Sequence, residues 1–139
     1  MVEFTIFGNP QAQKRHRHFR LGTYDPSKKD KQNFYLQALK HKPKTTLSGK
    51  IFIDISFYMA RPKSHFRTGK YKNILKDDAP KYYQSKKPDI DNLVKLVFDS
   101  LSGKDRFIKD DAMVCSLKAE KIYADEYPRT KVKLFALQN

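Results

Sequence analysis

From Ile90 onward the apolar residues fall at Leu93, Val94, Val97, Phe98 and Leu101. Steps of three and four place them on one stripe of an α-helix, which needs a second layer to bury it. Pro88 favours an extended Lys87 and suits a helix entrance rather than an interior. The helix is therefore expected to start near Asp89 or Asp91. Two residues apart within a helix, these carboxylates would point to nearly opposite sides. With Asp89 still extended and Asp91 in the first turn, both can converge on one point. Lys95 then lies one turn further along the face of Asp91. Converging carboxylates suit a hard divalent cation. The competing reading is plainer: one aspartate caps the helix, and Asp91 and Lys95 form an ordinary i, i+4 pair.

Alternating segments supply the second layer. Val2 to Phe7 reads as a short strand stopped by Gly8-Asn9-Pro10. Asp25-Pro26 reads as a helix start, with the helix running to about Lys42 and burying Tyr35, Leu36, Ala38 and Leu39. Ile51, Ile53, Ile55, Phe57 and Met59 alternate cleanly, and Phe52 and Tyr58 imply a partly covered second face. After the turn at Ser102-Gly103, Met113, Cys115, Leu117 and Ala119 predict a half-buried strand. Beyond the connection at Tyr127-Pro128-Arg129, Val132, Leu134 and Ala136 predict a final one. The order β-α-β-loop-α-β-β gives one α+β domain over residues 1–139, a mixed β-sheet with helices packed on it.

Charge narrows the partner. With 29 Lys and Arg against 15 Asp and Glu, the net charge is +14, the footprint of a polyanion binder. An anionic membrane is the rival, but no apolar span or basic amphipathic helix supports it. The run Lys14-Arg15-His16-Arg17-His18-Phe19-Arg20 contains no acid, which favours phosphate contact over a merely solvated loop. His16 and His18 are of a type that can bind a metal, but no further ligand cluster in the sequence supports such a site. Arg61 to Lys87 has no period and is rich in Lys, Arg and tyrosine, as expected of a mobile DNA-binding segment or plain disorder. It ends in Lys86 and Lys87, beside the two carboxylates. Cys115 is the single cysteine, and the N-terminus runs straight into a strand pattern without a signal peptide. A reducing, cytoplasmic setting is expected.

A second acidic pair, Asp110-Asp111, precedes a strand. In an extended backbone the two would point apart, leaving one as a direct metal ligand. Acids at a helix mouth and at a strand start can hold one or two Mg2+ ions that activate a water and steady a phosphodiester undergoing cleavage.

These blocks carry a resemblance. Pro88-Asp89-Ile90-Asp91-Asn92-Leu93-x-Lys95, then Phe98-Asp99-x-Leu101, then Asp110-Asp111, resembles the RusA family of Holliday-junction resolvases. The Gly8-x-Pro10 turn followed by Lys14 to Arg17 is similar to that family's N-terminal region. The resemblance implies Asp89, Asp91 and the second acid of Asp110-Asp111 as Mg2+ ligands, and Lys95 as a catalytic lysine. It also implies a homodimer that resolves four-way DNA junctions by paired nicks in recombination and repair. Lys14, Arg15, Arg17, Arg20, Lys86 and Lys87 are the expected DNA contacts.

Two other readings compete. Restriction-endonuclease-like enzymes need Asp/Glu-x-Lys on a strand, and no acid here has lysine two positions later. A non-catalytic nucleic-acid-binding module would use its acids only as helix caps. A nucleotide-binding enzyme lacks its Gly-rich phosphate loop.

Overall fold

The computed structural model describes residues 1–84 and 86–137. In chain order it contains β1 (Val2–Phe7), β2 (Arg17–Phe19), β3 (Gly22–Tyr24), α1 (Lys28–Ala38), β4 (Lys50–Met59), α2 (Ile90–Leu101), β5 (Val114–Tyr123) and β6 (Arg129–Leu137). Four strands form one sheet in the order β1-β6-β4-β5, and β2 and β3 form a separate hairpin. Within the four-stranded sheet β4 and β5 run parallel, whereas β1–β6 and β4–β6 are antiparallel. A parallel pair needs a long crossover, and the segment containing α2 provides it. The result is an α+β domain with a mixed sheet and two helices, as the patterning predicts.

Ile51, Ile53, Ile55, Phe57 and Met59 are all buried and face the helices. They meet Leu93, Val94, Leu96, Val97 and Leu101 of α2 in one core. Leu96 and Ser100 are buried as well, so the buried face of α2 is broader than its apolar spacing implies. On the other side of the sheet, Phe52 stacks on Phe135 with ring centroids 5.4 Å apart. The Arg129 guanidinium covers the Tyr58 ring at 3.8 Å. Both residues expected on a partly covered second face are indeed half-buried.

Four expectations need correction. First, α1 begins at Lys28 and ends at Ala38, with a 3-10 turn over Leu39–His41. It buries Phe34 and Ala38 one turn apart, whereas Leu36 and Leu39 are exposed. The Phe34 ring meets Phe4 at 6.4 Å, which fixes the inward face. Leu36, about 200° further round the helix, then points outward.

Second, Met113 lies in a 3-10 turn, and Cys115 and Leu117 are exposed. Leu117 pairs with Ile53 and so faces the helical side. However, β5 is an edge strand whose first half the helices do not cover. Third, the expected order β-α-β-loop-α-β-β lacks a hairpin that the basic run helps to form, since Arg17–Phe19 pairs with Gly22–Tyr24.

Fourth, the long segment after β4 is held by local hydrogen bonds and anchors that leave no period in the sequence. Arg67 N–H donates to Ile74 O at 2.8 Å, and Lys76 N–H to His65 O at 2.9 Å. Arg61, at the start of the segment, donates to Pro80 O near its end at 2.9 Å and to Ala124 O, just after β5, at 3.1 Å. The segment then returns along β5, where Tyr123 N–H donates to Lys81 O and Tyr83 N–H to Lys121 O. Among the described residues, no helix is long and apolar enough to cross a membrane.

Candidate active site

The mouth of α2 has the geometry that lets two carboxylates converge. Asp89 is the N-cap residue, extended at φ −71° and ψ 142°, and Asp91 sits in the first helical turn. Asp89 makes no side-chain capping hydrogen bond. Asp91 Oδ1 accepts from the Asn92 N–H at 2.9 Å. Among the described residues no Asp91–Lys95 ion pair forms within 4.0 Å. Asp89 thus makes no side-chain cap and Asp91 no ion pair with Lys95, while both carboxylates stay at the positive end of the helix dipole.

Both carboxylates line one open depression with Lys86, Lys87, Ile90 and Lys121. Lys87 Nζ lies 3.2 Å from Asp89 Oδ2, in an exposed contact. Lys121 reaches in from β5 and donates to Pro88 O at 2.9 Å and Lys86 O at 3.2 Å. The Tyr83 hydroxyl donates to Lys87 O at 3.0 Å. The approach to the helix is thus fixed from the sheet edge. Sequence reasoning missed Lys121, whose one signal is a cation beside the apolar pair Ile122-Tyr123.

Asp110 caps a 3-10 turn over Asp111–Met113, its Oδ1 accepting from the Ala112 N–H at 2.9 Å. Asp110 is extended, but Asp111 turns into the 3-10 geometry, so the two carboxyls do not diverge as they would along a strand. The Asp111 carboxyl is raised above its ordinary range. Although the residue as a whole is exposed, the protein packed around its carboxyl is the largest cause. A hydrogen bond with Asp110 and the charges of Asp110 and Asp99 follow, and Lys95 opposes them. Asp111 and Lys95 are therefore within electrostatic reach of each other.

The basic run is rooted beside this site. Gln13 N–H donates to Asn92 O at 2.9 Å. Lys14, Arg15 and His16 share a depression with Asn92 and Lys95. Arg17 and Arg20 are carried away on the β2–β3 hairpin. Behind the root stands a network absent from the sequence reading. Lys31 Nζ lies 2.7 Å from Asp25 Oδ2 and 3.1 Å from Asp99 Oδ2. Burial alone would raise the Asp25 carboxyl. Hydrogen bonds from Lys31, the Ser27 N–H and Gln13 outweigh it and hold the pKa at about 2. Burial likewise pulls the Lys31 ammonium down, but its hydrogen bonds to Asp25 and Asp99 raise it overall.

Among the described residues, no three carboxylate, imidazole or thiolate side chains converge as a metal cage. The donors present still fit Mg2+. That ion takes hard oxygen ligands, usually one or two carboxylates, and completes its shell with water and substrate phosphates. The Asp89–Asp91 depression, ringed by lysines that suit an anionic substrate, matches that mode.

The family model for the endodeoxyribonuclease RusA matches residues 7–135, nearly the whole chain. This chain belongs to the RusA family. A curated relative, the uncharacterized protein YqaN of Bacillus subtilis (strain 168), is 35% identical over 139 residues, covering 96% of this chain and 94% of the relative. The RusA match takes in both acidic pairs, Lys95 and the basic run, and the family's named activity is that of an endodeoxyribonuclease. The DNA that this family acts on is a polyanion of the kind that the +14 charge suits.

Proposed function

We propose that this RusA-family chain is a Mg2+-dependent endonuclease that resolves four-way DNA junctions by paired symmetric nicks, acting as a homodimer. One observation supports the reading most directly. The Asp89 carboxylate at the helix mouth makes no capping bond and shares a lysine-ringed depression with Asp91. Asp89 and Asp91 would hold Mg2+, with Asp111 completing the acidic set and Asp110 supporting it. The ion supplies charge neutralisation at the scissile phosphate and lowers the pKa of a water.

The protein's own groups do the rest. Lys86, Lys87 and Lys121 attract the phosphate backbone to the acids. Lys95 steadies negative charge as it develops on the phosphate oxygens. Lys14 and Arg15, across the neighbouring depression, position the strand by phosphate contact without reading its sequence. A C2 dimer presents two identical sites, as two symmetry-related nicks require.

The test is cleavage of a synthetic four-way junction beside linear duplex of matching sequence, with and without Mg2+. Symmetric nicks, dependent on the metal and far faster on the junction, are expected. Equal cutting of both DNAs would refute junction selectivity. Binding with no metal-dependent cleavage would leave a non-catalytic DNA-binding module.

A further inference from the structure

The β2–β3 hairpin has a character that phosphate contact alone does not explain. Every residue from Lys14 to Tyr24 is exposed. Phe19 is 54% exposed, Leu21 89% and Tyr24 49%, with the Phe19 and Tyr24 rings 6.2 Å apart. Arg17 and Arg20 flank this apolar tip. The turn closes at Gly22, whose φ of 154° is one that glycine adopts readily.

The base of the hairpin is fastened on both sides. On the incoming side, Gln13 N–H is bonded to Asn92 O, and Lys14 N–H donates to the Oγ of fully buried Ser27 at 2.8 Å. On the outgoing side, Asp25 accepts from Gln13 Nε2 at 2.9 Å and pairs with Lys31, which is itself paired with Asp99 on α2. An exposed apolar tip is thus held on a rigid root next to Lys95.

Charge selects the occupant. Between Glu3 and Asp25 the chain carries Lys14, Arg15, Arg17 and Arg20 and no acid. A second copy of the same hairpin would be repelled, whereas DNA is attracted. Apolar wedges flanked by arginine are a known way of entering and unstacking a base step. We propose that the hairpin tip, Phe19 and Leu21 between Arg17 and Arg20, enters an unstacked base step of the DNA near the cleaved phosphate. This rests on the nuclease reading above.

Reach sets the distance. Six residue steps lead from Arg15, in the depression it shares with Lys95, to Leu21, and at ~3.3 Å per step the tip lies no more than ~20 Å from Arg15. That span corresponds to about six nucleotide steps at ~3.4 Å each.

Permanganate, which attacks unstacked thymines, tests this on a four-way junction bound in EDTA so that no cutting occurs. With wild type, thymines within about six steps of the cleavage position should gain at least fivefold reactivity over free junction. Phe19→Ser/Leu21→Ser should bind within tenfold of wild type, because the cations remain, yet lose the gain. Leu21→Ser alone should lose at least half of it, and serves as the test should the double variant fail to fold by circular dichroism. Three outcomes overturn the proposal: no gain with bound wild type, an undiminished gain with folded variants, or variants whose one effect is to dissociate a wild-type dimer. Wild type that cleaves junctions but produces no gain sinks the wedge alone. Wild type that fails to bind DNA sinks the nuclease reading with it.

Discussion

The backbone N–H of Gln13 donates to the carbonyl of Asn92 at 2.9 Å, fastening the root of the basic segment to the helical turn that carries Asp91. Cations that favour phosphate and acids that favour a metal are thereby joined by main chain. Main-chain placement costs less conformational freedom than two long side chains meeting across solvent. The Asp25–Lys31–Asp99 network braces the same junction from behind.

Asp25→Asn should expose the value of that brace. The folded-state pKa of about 2 lies below the ordinary aspartate value of 3.8. Stability from this group is fully present above pH 3.8 and is lost as pH falls through about 2. The variant should lose about 2 kcal/mol at pH 7, or roughly 5–10 °C in Tm. Urea unfolding at pH 7 and near pH 2 provides the check, because the gap between variant and wild type should close in acid.

Asp89→Asn, Asp91→Asn and Asp111→Asn should each abolish cleavage while junction affinity holds or increases. Each removes the charge of a proposed ligand oxygen but also relieves repulsion of the phosphates. Asp110→Asn should be milder, since an asparagine oxygen still accepts from Ala112 N–H. Gel-shift and nicking assays on the same preparations separate the two effects, and full activity in all three variants would refute the assignment.

Lys95→Ala should slow turnover about a hundredfold, the scale of losing one group that stabilises transition-state charge, with little change in junction affinity. Because no ion pair ties Lys95 to Asp91 within 4.0 Å among the described residues, folding stability should change by less than about 0.5 kcal/mol. A normal rate would count against a chemical role.

Neutralising Lys14, Arg15 and Arg17 together should weaken binding to every DNA tested and reduce the log–log salt slope by about 2.7, at ~0.9 per phosphate contact. Titrations across a range of salt concentrations measure it. An unchanged slope would mean these side chains stay in solvent.

What the sequence made legible follows from how local each signal is. Pro88 and the apolar spacing placed α2 to within a residue, and strict alternation placed β4, because backbone periodicity leaves a direct trace. The mouth acids were legible for the same reason. The inward face of α1 was not, because Phe4 in another strand decides it. Nor was the exposure of Leu117, since alternation reports two faces of a strand but not whether a helix reaches that far. Lys121 and the Lys31 bridge lie far in sequence from the groups they hold, so no spacing rule points to them. The hairpin was hidden because its two strands are three residues each, too short for alternation to register.

The sheet order has a consequence for how the molecule is made. β6 lies between β1 and β4, so a strand made after both of its neighbours fills the middle of the sheet rather than its edge. Until then β1 has no strand beside it, and β4 and β5 have only each other. A nascent chain stalled before Arg129 would expose long unpaired edges, the form in which partly folded proteins aggregate. A premature stop there should yield insoluble protein rather than a weakened nuclease.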